Sequence, residues 1–593
     1  MAIAAAIVSV VAFERQTIAE TNLKVTYGSN GVQQVSYAGV LLEDLAQYPS
    51  DLFHIWHMKM TDLQGNLMSG GQFAWGETNN GRSWSSETNT WTYNYSWGSI
   101  QVQFLQSGDT LDMRVTETNK PGSGVILDGA VIYPFGIHLP KLPKSFGNAS
   151  YPQLAFNTTA PSVTIADYGS GEVVAVVPDA SKPLYSGFLP TGTGVAYSPI
   201  ISGTAPDGLA TFQPHNDRPV YPGKTDTLVV SLRFASSGTS SVALAPDIYA
   251  NWARTWPAQL NWIDRRPIGT VYLASSPSGE ASKPGGYSNN PRRYFNERNE
   301  GNFDIRTVAG LAAFQRRVLE QATNIVANME QLHAQGSITW DIEGEEYPQS
   351  TSYVCQPDSI AQISPEMESI ILDHGSPYFG WKLDDAYFKV IRNTGFRVGV
   401  CARPQHFTRN PDGTAQQVTL PNADIAAELI RKIKFAHDRW GATLFYVDSS
   451  VEPNGAVLDA SIFQQVARTF PDSLIIPEET TSKYFAYTAP FQTFLFHGDL
   501  GTDPIVRAYY PHAFSVNLIN DVDAAKLTEK LPQLITSVKG GDILMGHVGY
   551  WDANDTTILA IYKAAGVSMD SSGIKSPPVS TSTSPRTGKG RAN

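Results

Sequence analysis

The segment 443–480 decides how this chain is read: TLFYVDSS (443–450), then ASIFQQVARTF (460–470) with helical spacing, then SLIIPEET (473–480). Leu444, Phe445, Tyr446 and Val447 lead into Asp448, while Leu474, Ile475 and Ile476 lead through Pro477 into Glu478 and Glu479. Apolar runs without alternation belong to strands buried on both faces, as in parallel sheets. In a (β/α)8 barrel the C-terminal ends of such strands form the catalytic face. Two carboxylates 30 residues apart (478 − 448), with one helix between them, are therefore expected on neighbouring strand ends. That arrangement suits glycosidic bond cleavage, which divides its work between two carboxyl groups.

The same alternation of strand and helix extends in both directions. TVYLASS (270–276), SITWDIEGEE (337–346) and FRVGVCARPQ (396–405) precede the central pair; FQTFLFHGDLG (491–501), FSVNLIND (514–521) and DILMGHVGY (542–550) follow it, which makes eight strands. Leu311, Phe314, Val318, Ala322, Ile325, Met329 and Leu332 recur at three- and four-residue steps, predicting a helix over 308–335 with Gly336 as its C-cap. A second helix closes on Gly395, and a third runs from a cap at Asn422 to Gly441. Residues 248–569 thus have the length and rhythm of a (β/α)8 TIM-type barrel. Residues 14–247 alternate at period two between Gly, Pro, Asn and Ser clusters, which predicts an N-terminal β-sandwich. The expected fold is multidomain: β-sandwich, then (β/α)8 barrel. The Ser/Pro/Thr-rich tail 570–593 is expected to be disordered.

A net charge of −12 with 17% charged residues disfavours nucleic acid as a partner. The apolar opening MAIAAAIVSVVAF (1–13) is too short to span a bilayer and reads as a signal remnant or a first strand, so the expectation is a secreted or periplasmic protein without a membrane partner. The sequence leaves the oligomeric state open. Cys355 and Cys401 lack metal-ligand spacing; one disulfide between them is compatible with the sequence and not demanded by it. His54 and His57 in HIWHMKM read more readily as packed or surface histidines than as metal ligands.

Polar residues at the strand ends supply the candidate site. Asp448 is the expected nucleophile, kept ionised by Arg403 or a tyrosine, and Glu478 or Glu479 the acid/base; alternation leaves the choice between the glutamates open, with a slight preference for Glu478. Asp341, Glu343, Arg403, Gln405, His497, Asp499 and His547 are expected to bind substrate, Asp341 and Glu343 by accepting hydrogen bonds from sugar hydroxyls. Glu345, Glu346 and Asp521 read as caps or solvated loop acids. No cofactor is required, although Asp341, Glu343 and a carbonyl would make a calcium-like donor set.

The YVD ending of the fourth strand and the glutamate ending the fifth, behind a β-sandwich, resemble the retaining α-glycosidases related to endo-α-N-acetylgalactosaminidases, over roughly residues 14–560. The resemblance implies a retaining glycoside hydrolase acting on an α-linked carbohydrate, with Asp448 as nucleophile and Glu478, or Glu479, as acid/base. WDIEGEEYP and CARPQ depart from that pattern. Similarity to α-galactosidase and α-glucosidase barrels would move the acid to Asp499. The competing class is a non-catalytic carbohydrate-binding surface protein; it is disfavoured because burying several carboxylates is costly without a reaction to use them.

Overall fold

A computed structural model describes residues 21–29, 31–45, 52–66, 81–135, 137–138, 144–146, 154–156, 161, 163–178, 185–190, 196–202, 219–274, 292–295, 303–344, 354–409, 411, 415–452, 457–493, 500–519 and 524–570. The expectations placed on 1–13, His497, Asp499, Glu345, Glu346, Asp521 and the tail 571–593 lie outside these residues. The chain divides into two compact units, Met1–Trp252 and Ala253–Asn593.

The first unit is antiparallel. Thr110–Asn119 shows why: Leu111, Met113, Val115, Glu117 and Asn119 turn inward while the residues between them face outward, the period of a half-buried strand. It sits within an eight-stranded sheet, between Thr225–Ser236 and Gly98–Ser107. Six- and three-stranded sheets accompany it, and one apolar cluster draws residues from all three, among them Leu23, Met60, Trp97, Val115 and Phe234. This is the layered β architecture expected from the alternation.

The second unit is built on eight parallel strands: β1 Ile268–Val271, β2 Gly336–Thr339, β3 Arg397–Ala402, β4 Leu444–Val447, β5 Leu474–Pro477, β6 Phe491–Thr493, β7 Val516–Leu518 and β8 Ile543–His547. Hydrogen-bonded neighbours run β5-β4-β3-β2-β1-β8-β7-β6. The seam between β5 and β6 is bridged by Ala489 N–H donating to Ile475 O at 3.0 Å, so the sheet is a nearly closed (β/α)8 barrel. Ile268, Ile338, Cys401, Leu444, Leu474, Val516 and Ile543 fill its interior. Gly399 in β3 is required by packing, since a Cβ there would lie 2.4 Å from Leu444 O. Among the described residues no helix is long and apolar enough to cross a membrane.

Between β1 and β2 runs α1 (Val308–Leu332), capped by Thr307, whose hydroxyl accepts from Gly310 N–H. Its left-handed C-cap is His333 at φ 53°; Gly336, expected to end the helix, instead opens β2, because the chain needs the residues from 333 on to reverse direction. The helix α2 (Leu383–Arg392) precedes β3 and α3 (Asn422–Trp440) lies between β3 and β4. Asn422 does not cap α3 through its side chain, which donates instead to Glu452 at 2.6 Å; Gly441 ends the helix at φ 67° as expected.

Candidate active site

Strand parity places the central acids. Leu444 and Tyr446 of β4 belong to the barrel interior, so Asp448, two residues on, continues the inward face. Leu474 and Ile476 of β5 do the same, which carries Glu478 inward and turns Glu479 away. The Glu479 N–H donates to Ser450 Oγ at 3.0 Å, on the flank of the turn that follows β4. The two in-pointing acids are joined through one residue: Ser449, beside Asp448, donates its N–H to Glu478 Oε2 at 2.6 Å. Ser449 sits at φ 53°, a left-handed conformation uncommon for a residue with a side chain, and this turn is what directs its N–H toward β5.

The surroundings of the two carboxyls differ. Asp448 is buried, and the Arg403 guanidinium at the end of β3 donates to it through Nε. Glu478 is half-buried, and among the described residues no cation pairs with it. Burial, and after it the Asp448 charge, raise its carboxyl above the ordinary range; Glu479 adds to this, while the Ser449 N–H and Arg403 oppose it. Tyr446 lies beneath both. Burial and the same two acids hold its phenol protonated, and its hydroxyl hydrogen-bonds to Glu478.

An aromatic layer lines the same end of the barrel. Tyr550 packs on His547 with centroids 3.9 Å apart, His547 on Tyr272 at 5.5 Å, Tyr272 on Trp340 at 5.7 Å, Trp340 on Tyr446 at 4.4 Å and Tyr446 on Phe491 at 5.0 Å. These rings went unmarked in the sequence because an isolated aromatic in an apolar strand reads as core. Parity was the available signal, since Trp340 follows Ile338 and Tyr446 precedes Asp448 by two residues each.

Arg403, Gln405 and His547 stand where the strand reading put them. Gln405 donates to Ser449 O at 3.3 Å, and His547 closes the inward row of Ile543 and Met545. Asp341 and Glu343 do not share an inward face. The chain turns after Trp340, and the Asp341 carboxylate accepts from Leu273 N–H at 2.7 Å and from Ala274 N–H at 2.8 Å, tying the end of β2 to the end of β1. Glu343 is fully buried in the following turn. Burial is the largest influence on it and leaves its carboxyl at about 8, with Asp341 raising it and backbone N–H groups and Lys432 lowering it. Asn517 likewise faces out of the barrel, its amide oxygen accepting from Gly501 N–H at 3.1 Å.

Cys355 and Cys401 form a disulfide that places Cys355, in the segment following β2, against β3. Among the described residues, the grouping with metal-like spacing is Cys355, Cys401 and Asp448, and both of its sulfurs are already bonded to each other.

No protein-family model and no curated protein matches the sequence. Solved structures do match. An α-N-acetylgalactosaminidase from Bifidobacterium bifidum is 10% identical, with 92% of each chain covered and a TM-score of 0.46. A GH31 family sulfoquinovosidase from E. rectale is 9% identical, with 92% of this chain and 82% of that one covered and a TM-score of 0.42. An α-galactosidase from Lactobacillus brevis is 9% identical at the same coverages, with a TM-score of 0.39. No activity is carried over from these likenesses.

Proposed function

We propose that this chain is a glycoside hydrolase that cleaves an α-linked carbohydrate with retention of configuration, using Asp448 as nucleophile and Glu478 as acid/base. The observation that carries the reading is the pair itself: two inward carboxyls on the adjacent ends of β4 and β5, one of them accepting the N–H of Ser449, the residue that follows the other, and set in unlike surroundings. One is held by a guanidinium; the other is pushed toward its protonated form. Pairs whose environments separate their proton affinities divide into acid and base roles. Their linkage through a single residue favours the close spacing of retaining enzymes over the wider one that admits a water between the groups.

In the first step the Glu478 carboxyl gives its proton to the glycosidic oxygen as the C1–O bond breaks, while an Asp448 oxygen bonds to C1 from the opposite face. In the second, Glu478 takes a proton from water, the water oxygen bonds to C1 and the ester bond to Asp448 breaks. Two inversions leave the configuration at C1 retained. Tyr446, beneath both acids, hydrogen-bonds to Glu478 and so stabilises the carboxylate left there when the proton is given up. In the aromatic layer the half-buried Tyr272 and Tyr550 offer faces for the apolar side of a sugar ring. The disulfide favours an oxidising compartment, in line with a secreted or periplasmic protein.

Hydrolysis of 4-nitrophenyl α-N-acetylgalactosaminide, α-galactoside and α-glucoside, with the β-anomers alongside and the product anomer followed by NMR, tests the reading. The expectation is turnover of an α-glycoside to the α-product, abolished in Asp448→Asn. Equal turnover by wild type and Asp448→Asn removes Asp448 as nucleophile, and a β-product removes retention. Retardation on polysaccharide gels without turnover of any glycoside would favour a binding protein.

A further inference from the structure

The turn that delivers Arg403 to Asp448 is held by more bonds than its length requires. Arg403 N–H donates to Cys355 O at 3.0 Å, and Cys355 is itself tied to Cys401, two residues before Arg403, by the disulfide. Gln356 Nε2 donates to Gln405 O at 2.8 Å. From the opposite side Lys432, on the inner face of α3, donates through Nζ to Arg403 O at 2.6 Å and to Gln405 O at 2.5 Å, with Glu428 at 3.2 Å.

Lys432 is fully buried between Leu429, Ile433 and Ala436, a face where packing alone would take a leucine or methionine. Burying an ammonium is costly, and here it lowers the amine to about 8. That cost is offset only by the partners, and an ammonium's three donors match two carbonyls and one carboxylate. The two carbonyls belong to the residues on either side of Pro404. What the amine fixes is therefore the path of residues 403–405, and through it the direction of the Arg403 side chain.

We propose that Lys432 is a positioning residue: by gripping both carbonyls of the 403–405 turn from α3, it sets the Arg403 guanidinium against Asp448 and thereby the placement of Asp448 beside Glu478. This rests on the assignment of Asp448 as nucleophile. Among the described residues Lys432 makes no bond to Asp448 or Glu478, so the role proposed for it runs through Arg403.

The test is a double-mutant cycle on the full chain, with the 4-nitrophenyl α-glycoside that the wild type turns over. Lys432→Met is expected to lower kcat about 10- to 100-fold, the scale of a misplaced catalytic group, with KM nearly unchanged. In an Arg403→Met background the same change should have little further effect, because both act through one contact. A buried lysine serving only stability would reduce the active fraction equally in both backgrounds, so effects that multiply overturn the proposal, as does wild-type kcat in Lys432→Met. Should Lys432→Met fail to fold, Gln356→Leu removes another strap on the same turn, and the same cycle with Arg403→Met decides by the same criterion. Asp448→Asn separates the two readings. If it stays active the nucleophile assignment falls, whereas an inactive Asp448→Asn with multiplicative Lys432 and Arg403 effects removes the positioning role alone.

Discussion

The acids after β2 and those after β4 and β5 look alike in the sequence and serve differently in the fold. Each set follows a short buried strand, and each lies at the C-terminal end of the barrel. After β4 and β5 the inward parity continues for one more step, so Asp448 and Glu478 follow Tyr446 and Ile476 into the interior. After β2 the chain turns at once behind Trp340. Asp341 then ties two strand ends through the Leu273 and Ala274 amides, and Glu343 is buried in the turn. The difference teaches that an acid at a strand end faces the barrel interior only if the strand's alternation survives past its last ladder bond.

Substitutions at the two places should separate cleanly. Asp448→Asn, nearly isosteric, is expected to lower kcat on the order of 10⁴-fold or more while leaving the thermal midpoint close to wild type; a kcat within a few fold of wild type would erase the contrast. Glu478→Gln should lower kcat by about 10²- to 10⁴-fold, the usual worth of a general acid, and less for glycosides with good leaving groups, which need little protonation. It should also remove the basic limb of the kcat/KM profile. A limb that persists in Glu478→Gln assigns the acid elsewhere. Asp341→Asn should behave in the opposite sense, losing about 2–4 kcal/mol in denaturant unfolding as charge-assisted bonds to two amides weaken, with kcat per folded molecule retained. A large loss of kcat without loss of stability would return Asp341 to the site.

Glu343→Gln should show its effect in the pH dependence of stability alone. The folded carboxyl at about 8 lies above its ordinary 4.5, so the unfolded chain releases this proton first as pH rises. Its contribution to stability is whole below about 4.5 and is lost as pH climbs toward about 8. Denaturant midpoints of wild type and Glu343→Gln should therefore diverge between those values, the variant losing less. Parallel curves would mean that Glu343 titrates normally.

Much of the barrel was legible because its strands are buried on both faces and its helices repeat at three and four residues. Helix ends were less so. Gly336 looked like a cap for α1, but His333 took the left-handed position, since where a helix stops depends on where the next strand must enter the sheet. The choice between Glu478 and Glu479 needed only a direction for β5, and the packing of Ile476 into the interior supplied it.

The sequence by itself determined the two-part architecture, the parallel strand order and the placing of Asp448 and of Glu478 and Glu479 at neighbouring strand ends, because hydrophobic periodicity is a property of local sequence. Only the tertiary structure decided which face each strand end presents, that Cys355 meets Cys401, and that a helix lysine 29 residues beyond Arg403 grips its turn. Those relations depend on where separate segments come to rest against one another, and neighbouring residues carry no record of it.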